Sequence, residues 1–223
     1  MYSDKSTKEL LELLGQFHLL TFESQLSLNE AFTSRNIHVD KSDLELAIKT
    51  KVDQINNLEY LKDLGFHATM QSDKITVTRT SGAILTDVVA VVFGAIVFFI
   101  GVYGVGSLVS MFVNGGEINV FSLAVNFALS SLVLTGFRFF NGIKRLFDFS
   151  GFRLSNQEGD ITLKKRFDLR LEEIKEKTSE LFLENHEEKL VLKLGQHTVF
   201  NSNGANLIQR LTMQQLTSLL KNS

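Results

Sequence analysis

The hydrophobic positions of this chain change period twice, and the two changes mark its parts. From Ser81 to Phe137 there is no Lys, Arg or His, and inside that stretch Val88–Val113 and Ile118–Phe137 carry no charged residue. As α-helices the two runs reach roughly 39 and 30 Å, enough to cross a hydrocarbon core of about 30 Å. Asn114-Gly115-Gly116-Glu117 between them has the composition of a turn. The pattern predicts a transmembrane helical hairpin over 81–143, between an N-terminal domain, 1–80, and a C-terminal domain, 144–223.

In the N-terminal segment the apolar residues recur every three or four positions. Ser6-Thr7-Lys8-Glu9 fits a capping box, and Leu10, Leu11, Leu13, Leu14 and Phe17 follow it with helical spacing. A second helix is predicted from Thr21 or Phe22 to about Arg35. A third starts at Asp40 or Ser42 and runs through Leu44, Ile48, Val52, Ile55, Leu58 and Leu61 to a stop at Gly65. Ile75, Val77 and Arg79 then alternate with Thr76, Thr78 and Thr80, as in a strand, which Phe66–Met70 would partner as a hairpin. This domain is expected to be small and mainly helical.

Beyond the hairpin the period shortens towards two. Phe152-Arg153-Leu154 faces Ile161-Thr162-Leu163 across Gln157-Glu158-Gly159-Asp160, a hairpin turn by composition. Leu181–Asn185, Leu190–Leu194 and His197–Phe200 read as further strands, and Leu207–Leu220 as a closing amphipathic helix. Leu169, Leu171 and Ile174 leave Asp168–Lys177 open between strand and helix. Carried by Phe152-Arg153-Leu154-Ser155, Ile161-Thr162-Leu163-Lys164, the Leu190–Leu194 strand and the terminal helix, this order resembles bacterial membrane proteins with a two-helix hairpin and a C-terminal pleckstrin-homology-like (PH-like) domain. The resemblance implies a module for protein or lipid interaction and carries over no catalytic residue. The expected class is thus an α+β membrane protein with an antiparallel-β C-terminal domain.

Charge adds sidedness. Lys74 and Arg79 precede the first span and Arg138, Lys144, Arg145 and Arg153 follow the second, while the turn between carries only Glu117. By the positive-inside rule both termini are expected in the cytoplasm of a bacterial cell, with the spans in the inner membrane. Arg79, Arg138, Lys144 and Arg145 are the candidate headgroup contacts, with Phe137–Phe149 interleaving rings and cations at that depth. On the first span Ala90, Gly94, Gly101 and Gly104 share a face. On the second, Ser122, Asn126 and Ser130 do so, and both faces are candidates for helix packing or self-association. Asp87 is read as a charge at a helix terminus.

Net charge −2 gives no electrostatic ground for a nucleic-acid partner, and the absence of Cys rules out disulfides and thiolate chemistry. His186 with Glu184, Glu187 and Glu188 is a local group of ligand types, but without metal-ligand spacing. No phosphate loop or nucleophile elbow occurs, so no enzyme, cofactor or metal is expected. The expectation is a membrane anchor or scaffold that presents cytoplasmic interaction domains, with the bilayer and a second copy or another protein as partners. The alternative is an oligomeric pore or channel-forming effector, lined by the Ser122-Asn126-Ser130 stripe and gated by its cytoplasmic domains.

Overall fold

The computed structural model describes the chain except residues 3, 72–73, 115–118, 168–169, 187 and 223, and the side chains of 138–141. Its elements are helices α1 (Thr7–Gly15), α2 (Phe22–Ser34) and α3 (Ser42–Asn56), and strands β1 (Phe66–Gln71) and β2 (Lys74–Arg79). Two long helices follow, α4 (Ser81–Val113) and α5 (Val120–Asp148). Strands β3 (Arg153–Gln157), β4 (Asp160–Phe167), β5 (Arg170–Lys177), β6 (Leu181–His186), β7 (Lys189–Leu194) and β8 (His197–Asn203) precede helix α6 (Leu207–Asn222). The strands form a five-stranded sheet in the order β1-β2-β3-β4-β5 and a three-stranded sheet in the order β6-β7-β8. The open stretch near residue 170 is therefore strand in β5, and residues 168–169 lie outside the described residues.

The chain divides into two compact units, one of Met1–Val77, Leu154–Leu163 and Lys175–Ser223, the other of Thr78–Arg153 and Lys164–Ile174. This grouping differs from the expected separation of 1–80 from 144–223. In the first unit α6 packs against α2, α3, β6 and β8, so both flanks of the hairpin build one body. The physical reason is visible in α6, whose Met213, Leu216 and Leu220 are fully buried. Three strands with one apolar face need that cover.

Local chemistry explains the elements of this unit. Ser6 accepts the Glu9 amide and Glu9 accepts the Ser6 amide at 2.8 Å, which completes the expected capping box at α1. Thr21 caps α2. Leu10, Leu28, Ala31, Phe32 and Leu44 from α1, α2 and α3 form one apolar cluster. The third helix ends sooner than predicted. Leu58 adopts a left-handed conformation (φ 57°), and a 3-10 helix, Glu59–Leu64, leads to Gly65 at φ 82°. Ile55, Leu58 and Leu61 are all buried although Val52 of the same stripe is exposed, so the spacing recorded burial at this end of the stripe while the backbone changed helix type.

The turn from β3 to β4 has two residues, Glu158 and Gly159, both at positive φ (56° and 79°), the signature of a type I′ hairpin turn. In the smaller sheet β6 and β7 are antiparallel with Leu183 opposite Leu192, and β8 pairs with β7 across a bulge at Leu192/Lys193. Phe66 stacks on Phe200 at 4.4 Å between centroids. Asn156, fully buried on β3, donates its side-chain amide to the Leu220 carbonyl at the end of α6. That satisfies an orphan carbonyl of a helix C-terminus.

In the second unit, α4 and α5 pack against each other along their length. The neighbours β2 and β3 are the strands that lead into and out of this pair. The helical hairpin is thus an insertion between two adjacent strands of one sheet.

Candidate membrane anchor

At 1.5 Å per residue, the 33 residues of α4 extend about 50 Å and the 29 of α5 about 44 Å. Their most apolar windows have mean hydropathies of 2.7 and 1.8, long and apolar enough to cross a membrane. A core helix of a soluble protein would bury such a surface. Here only 17% and 6% of those windows are buried, and Phe99, Tyr103, Phe112, Phe121, Phe127 and Leu134 lie exposed.

Small residues set the contact between the helices. A Cβ added at Gly104 would lie 2.8 Å from the Ser130 amide nitrogen, and one at Gly101 2.8 Å from a Val133 methyl. Both separations are below what real Cβ atoms adopt, so these glycines are required by the approach of α5. Gly94 is buried on the same face, and Ala90 meets Gly142 lower down. Gly136, which stands against the Phe98 backbone, belongs to the same contact and has no part in the predicted faces. Each pair sums to nearly the same residue number, as an antiparallel hairpin requires.

Of the two readings of the small-residue face, helix packing within the hairpin describes Ala90, Gly101 and Gly104, which meet α5 of their own chain. Asn126 donates to the Met111 sulfur across the contact at 3.4 Å, whereas Ser130 donates back to the Asn126 carbonyl at 2.7 Å. Ser130 therefore bonds its own helix instead of reaching across. Ser122 is half-buried on the same face.

The base of the hairpin carries the chemistry the sequence pattern missed. Asp87 is fully buried, and Arg79 at the end of β2 donates to its Oδ2 at 2.6 Å. From α5, Arg145 donates Nε to Oδ1 at 2.8 Å and its terminal nitrogen to the same oxygen. One carboxylate thus joins a strand end and two helices. The helix-terminus explanation fails on position: Asp87 is the seventh residue of α4, past the first turn to which the dipole effect is confined. The Arg79 and Arg145 guanidiniums, expected at lipid headgroups, have this protein partner. Lys144 is exposed, and the Arg138 side chain lies outside the described residues. The signal that could have found the cluster was one acid flanked, at hairpin-related positions, by arginines that bracket both spans.

Phe149, just past α5, gathers further cations. The Arg79 guanidinium lies 5.1 Å and the Lys165 ammonium 5.0 Å from its ring centroid, and Lys165 is also 5.7 Å from Phe167. Burial pushes the Lys165 ammonium below its ordinary pKa. Asp148 opposes that shift and Lys144 adds to it.

Elsewhere, His186 Nε2 lies 3.0 Å from Glu184 Oε1, and Lys193 takes the other oxygen of that carboxylate. Among the described residues no group of three His, Asp or Glu side chains is placed to hold a metal; Glu187, named in that local group, lies outside them. The chain matches no protein-family model, no curated protein and no solved structure.

Proposed function

We propose that this chain is an integral membrane anchor, in which α4 and α5 cross the bilayer as a hairpin and both termini lie in the cytoplasm of a bacterial cell. The observation that carries the reading is the outward-facing apolar surface of two packed helices long enough to span. Water around that surface would be costly, at about 25 cal/mol for each Å² of apolar area, whereas lipid tails accept it. Sidedness has a second support besides the basic residues. Strands β2 and β3 are neighbours, so a hairpin inserted between them leaves and returns on one side.

The bodies so anchored are an interaction module. Support comes from the order of a five-stranded sheet, a three-stranded sheet and a closing helix, which accords with the PH-like resemblance, although β1 and β2 come from ahead of the hairpin. The anchor reading is favoured over the pore because Asn126 donates to Met111 of α4 and Ser130 to its own helix.

The natural absence of Cys makes a labelling test clean. Asn114→Cys, beside the turn, should react with a membrane-impermeant maleimide in intact spheroplasts. Ser218→Cys, exposed on α6, should react only after lysis. Protein that remains in a high-speed supernatant without detergent would overturn the anchor, and a reversed labelling pattern would overturn the sidedness.

A further inference from the structure

We infer that the cleft beside Lys51 binds a small carboxylate with an apolar body. The cleft, of about 430 Å³, lies within the unit that both flanks of the hairpin build. Leu20 and Phe22 line it around the start of α2, Leu207 and Ile208 at the start of α6, and Lys51 from α3. Its volume and its mostly apolar lining with few polar groups are those of a small-molecule site.

Lys51 stands out of pattern. Leu44, Ile48 and Ile55 form the inward stripe of α3, and Lys51 falls on it, between Ile48 and Ile55 at helical spacing. Val52, the residue the apolar spacing places there, is 39% exposed instead. A lysine in such a place ordinarily carries its ammonium along the stem to water. Here the ammonium is held in, donating to Gln25 Oε1 at 2.8 Å and lying 5.6 Å from the Phe22 ring centroid. Gln25 is 2% exposed, and its amide nitrogen donates to the Phe17 carbonyl at 2.9 Å and the Leu20 carbonyl at 3.4 Å, which fixes where its oxygen points. Neither the amide nor the ring carries a charge. Among the described residues no carboxylate pairs with this ammonium, and burial pulls its pKa below the ordinary value without an acid to oppose it. Glu23, the acid on the cleft, is exposed. An ammonium has three N–H donors, and Gln25 takes one, so a carboxylate can accept from the others. The apolar lining then selects the body: hydrocarbon against Leu20, Leu207 and Ile208, with the carboxylate at Lys51. The site stands whether or not α4 and α5 lie in a bilayer.

The test titrates the full-length protein in mild detergent with isovalerate or with isovaleramide, its neutral isostere, read by saturation-transfer difference NMR against protein-free micelles. Isovalerate should bind saturably and the amide about tenfold more weakly, the worth of one charge-assisted hydrogen bond. Lys51→Met should weaken isovalerate about tenfold and leave the affinity for the amide unchanged, a split that general damage to the fold would not produce. Ala205→Trp, at an exposed position on the cleft, should abolish binding of both by filling it, and Glu23→Gln should tighten isovalerate. Circular dichroism checks that each variant is folded. Equal affinities for acid and amide, isovalerate binding undiminished in Lys51→Met, or no saturable binding of either compound would overturn the site. Should Lys51→Met fail to fold, Ala205→Trp decides, and isovalerate binding retained there overturns the site as well.

Discussion

Removing the charge of Asp87 is the most searching perturbation of this structure. The Arg79 side chain is 6% exposed and Asp87 1%, so Asp87→Asn leaves a guanidinium in a poorly solvated place with a neutral amide as neighbour. Breaking such a pair from one side costs about 3–5 kcal/mol, because the remaining charge stays desolvated. For a domain of 150–250 residues each kcal/mol lowers the melting point by about 2–4 °C, so the expected fall is roughly 6–20 °C. Arg145 is different, since its side chain is 56% exposed and water can replace the carboxylate. Arg145→Gln should cost about 1 kcal/mol or less, as exposed ion pairs do. The assay is thermal unfolding of the full-length protein in mild detergent, followed by far-ultraviolet circular dichroism, with Lys8→Gln on exposed α1 as the control. The reasoning is refuted if Asp87→Asn melts within about 2 °C of the parent, a shift worth 1 kcal/mol at most. It is refuted equally if Arg145→Gln proves as damaging as Arg79→Gln.

Other substitutions probe separate parts of the argument. A Cβ at Gly142 would lie 3.7 Å from that of Ala90, near the mean Cβ separation of a disulfide, so Ala90→Cys with Gly142→Cys should crosslink under mild oxidant, whereas Ala90→Cys with Ala128→Cys should not. Gly104→Leu should disrupt the hairpin and cost about 1–3 kcal/mol, measured in the same thermal assay; a neutral result would deny the close approach of α5. Glu158→Asn, which places a left-handed-tolerant residue in the type I′ turn, should raise stability by up to about 1 kcal/mol, and Gly159→Ala should lower it by about 1–2 kcal/mol. The Glu9 carboxyl is held below its ordinary value first by the Ser6 amide and then by the Ser6 hydroxyl. Its contribution is therefore present above pH 4.5 and lost as pH falls through the lowered value, and Ser6→Ala should move the Glu9 titration, read by NMR, up towards 4.5.

The features most legible in the sequence are those set by local chemistry. An uncharged run of apolar residues can only be buried or in lipid, so both long helices were plain, although each continues past its uncharged run to a capped end: Thr80 caps α4 and α5 reaches Asp148. The capping box at Ser6 and the turn at Glu158-Gly159 are equally local. The glycine face of the first span was found from spacing, but whether it met a second copy or α5 is a question of topology, which spacing does not answer. Gly136 escaped because a lone glycine near the end of a span has no periodic partner. The shared body of the two flanks escaped for a deeper reason. Pairing of β2 with β3, and of α6 with α2 and α3, joins residues far apart in the chain, and a single sequence records no such distances. Asp87 was visible but misread, because its partners belong to a strand end and to another helix.

The same topology constrains how the fold forms. Strands β2 and β3 cannot pair until the residues between Arg79 and Arg153 have turned back on themselves. For a flexible loop of about 70 residues the length-dependent closure cost is roughly 3.8 kcal/mol, and for one of about 10 residues roughly 2 kcal/mol. A hairpin that forms first leaves only the few residues at its two ends to be closed, so it lowers the barrier to pairing by the difference. Asp87 then acts where this closure happens. It holds Arg79, the last residue of β2, to Arg145, eight residues before β3. The ion cluster is thus a clasp that ties both long helices to the last residue of β2, and Asp87 is buried where that strand end and the two helices meet.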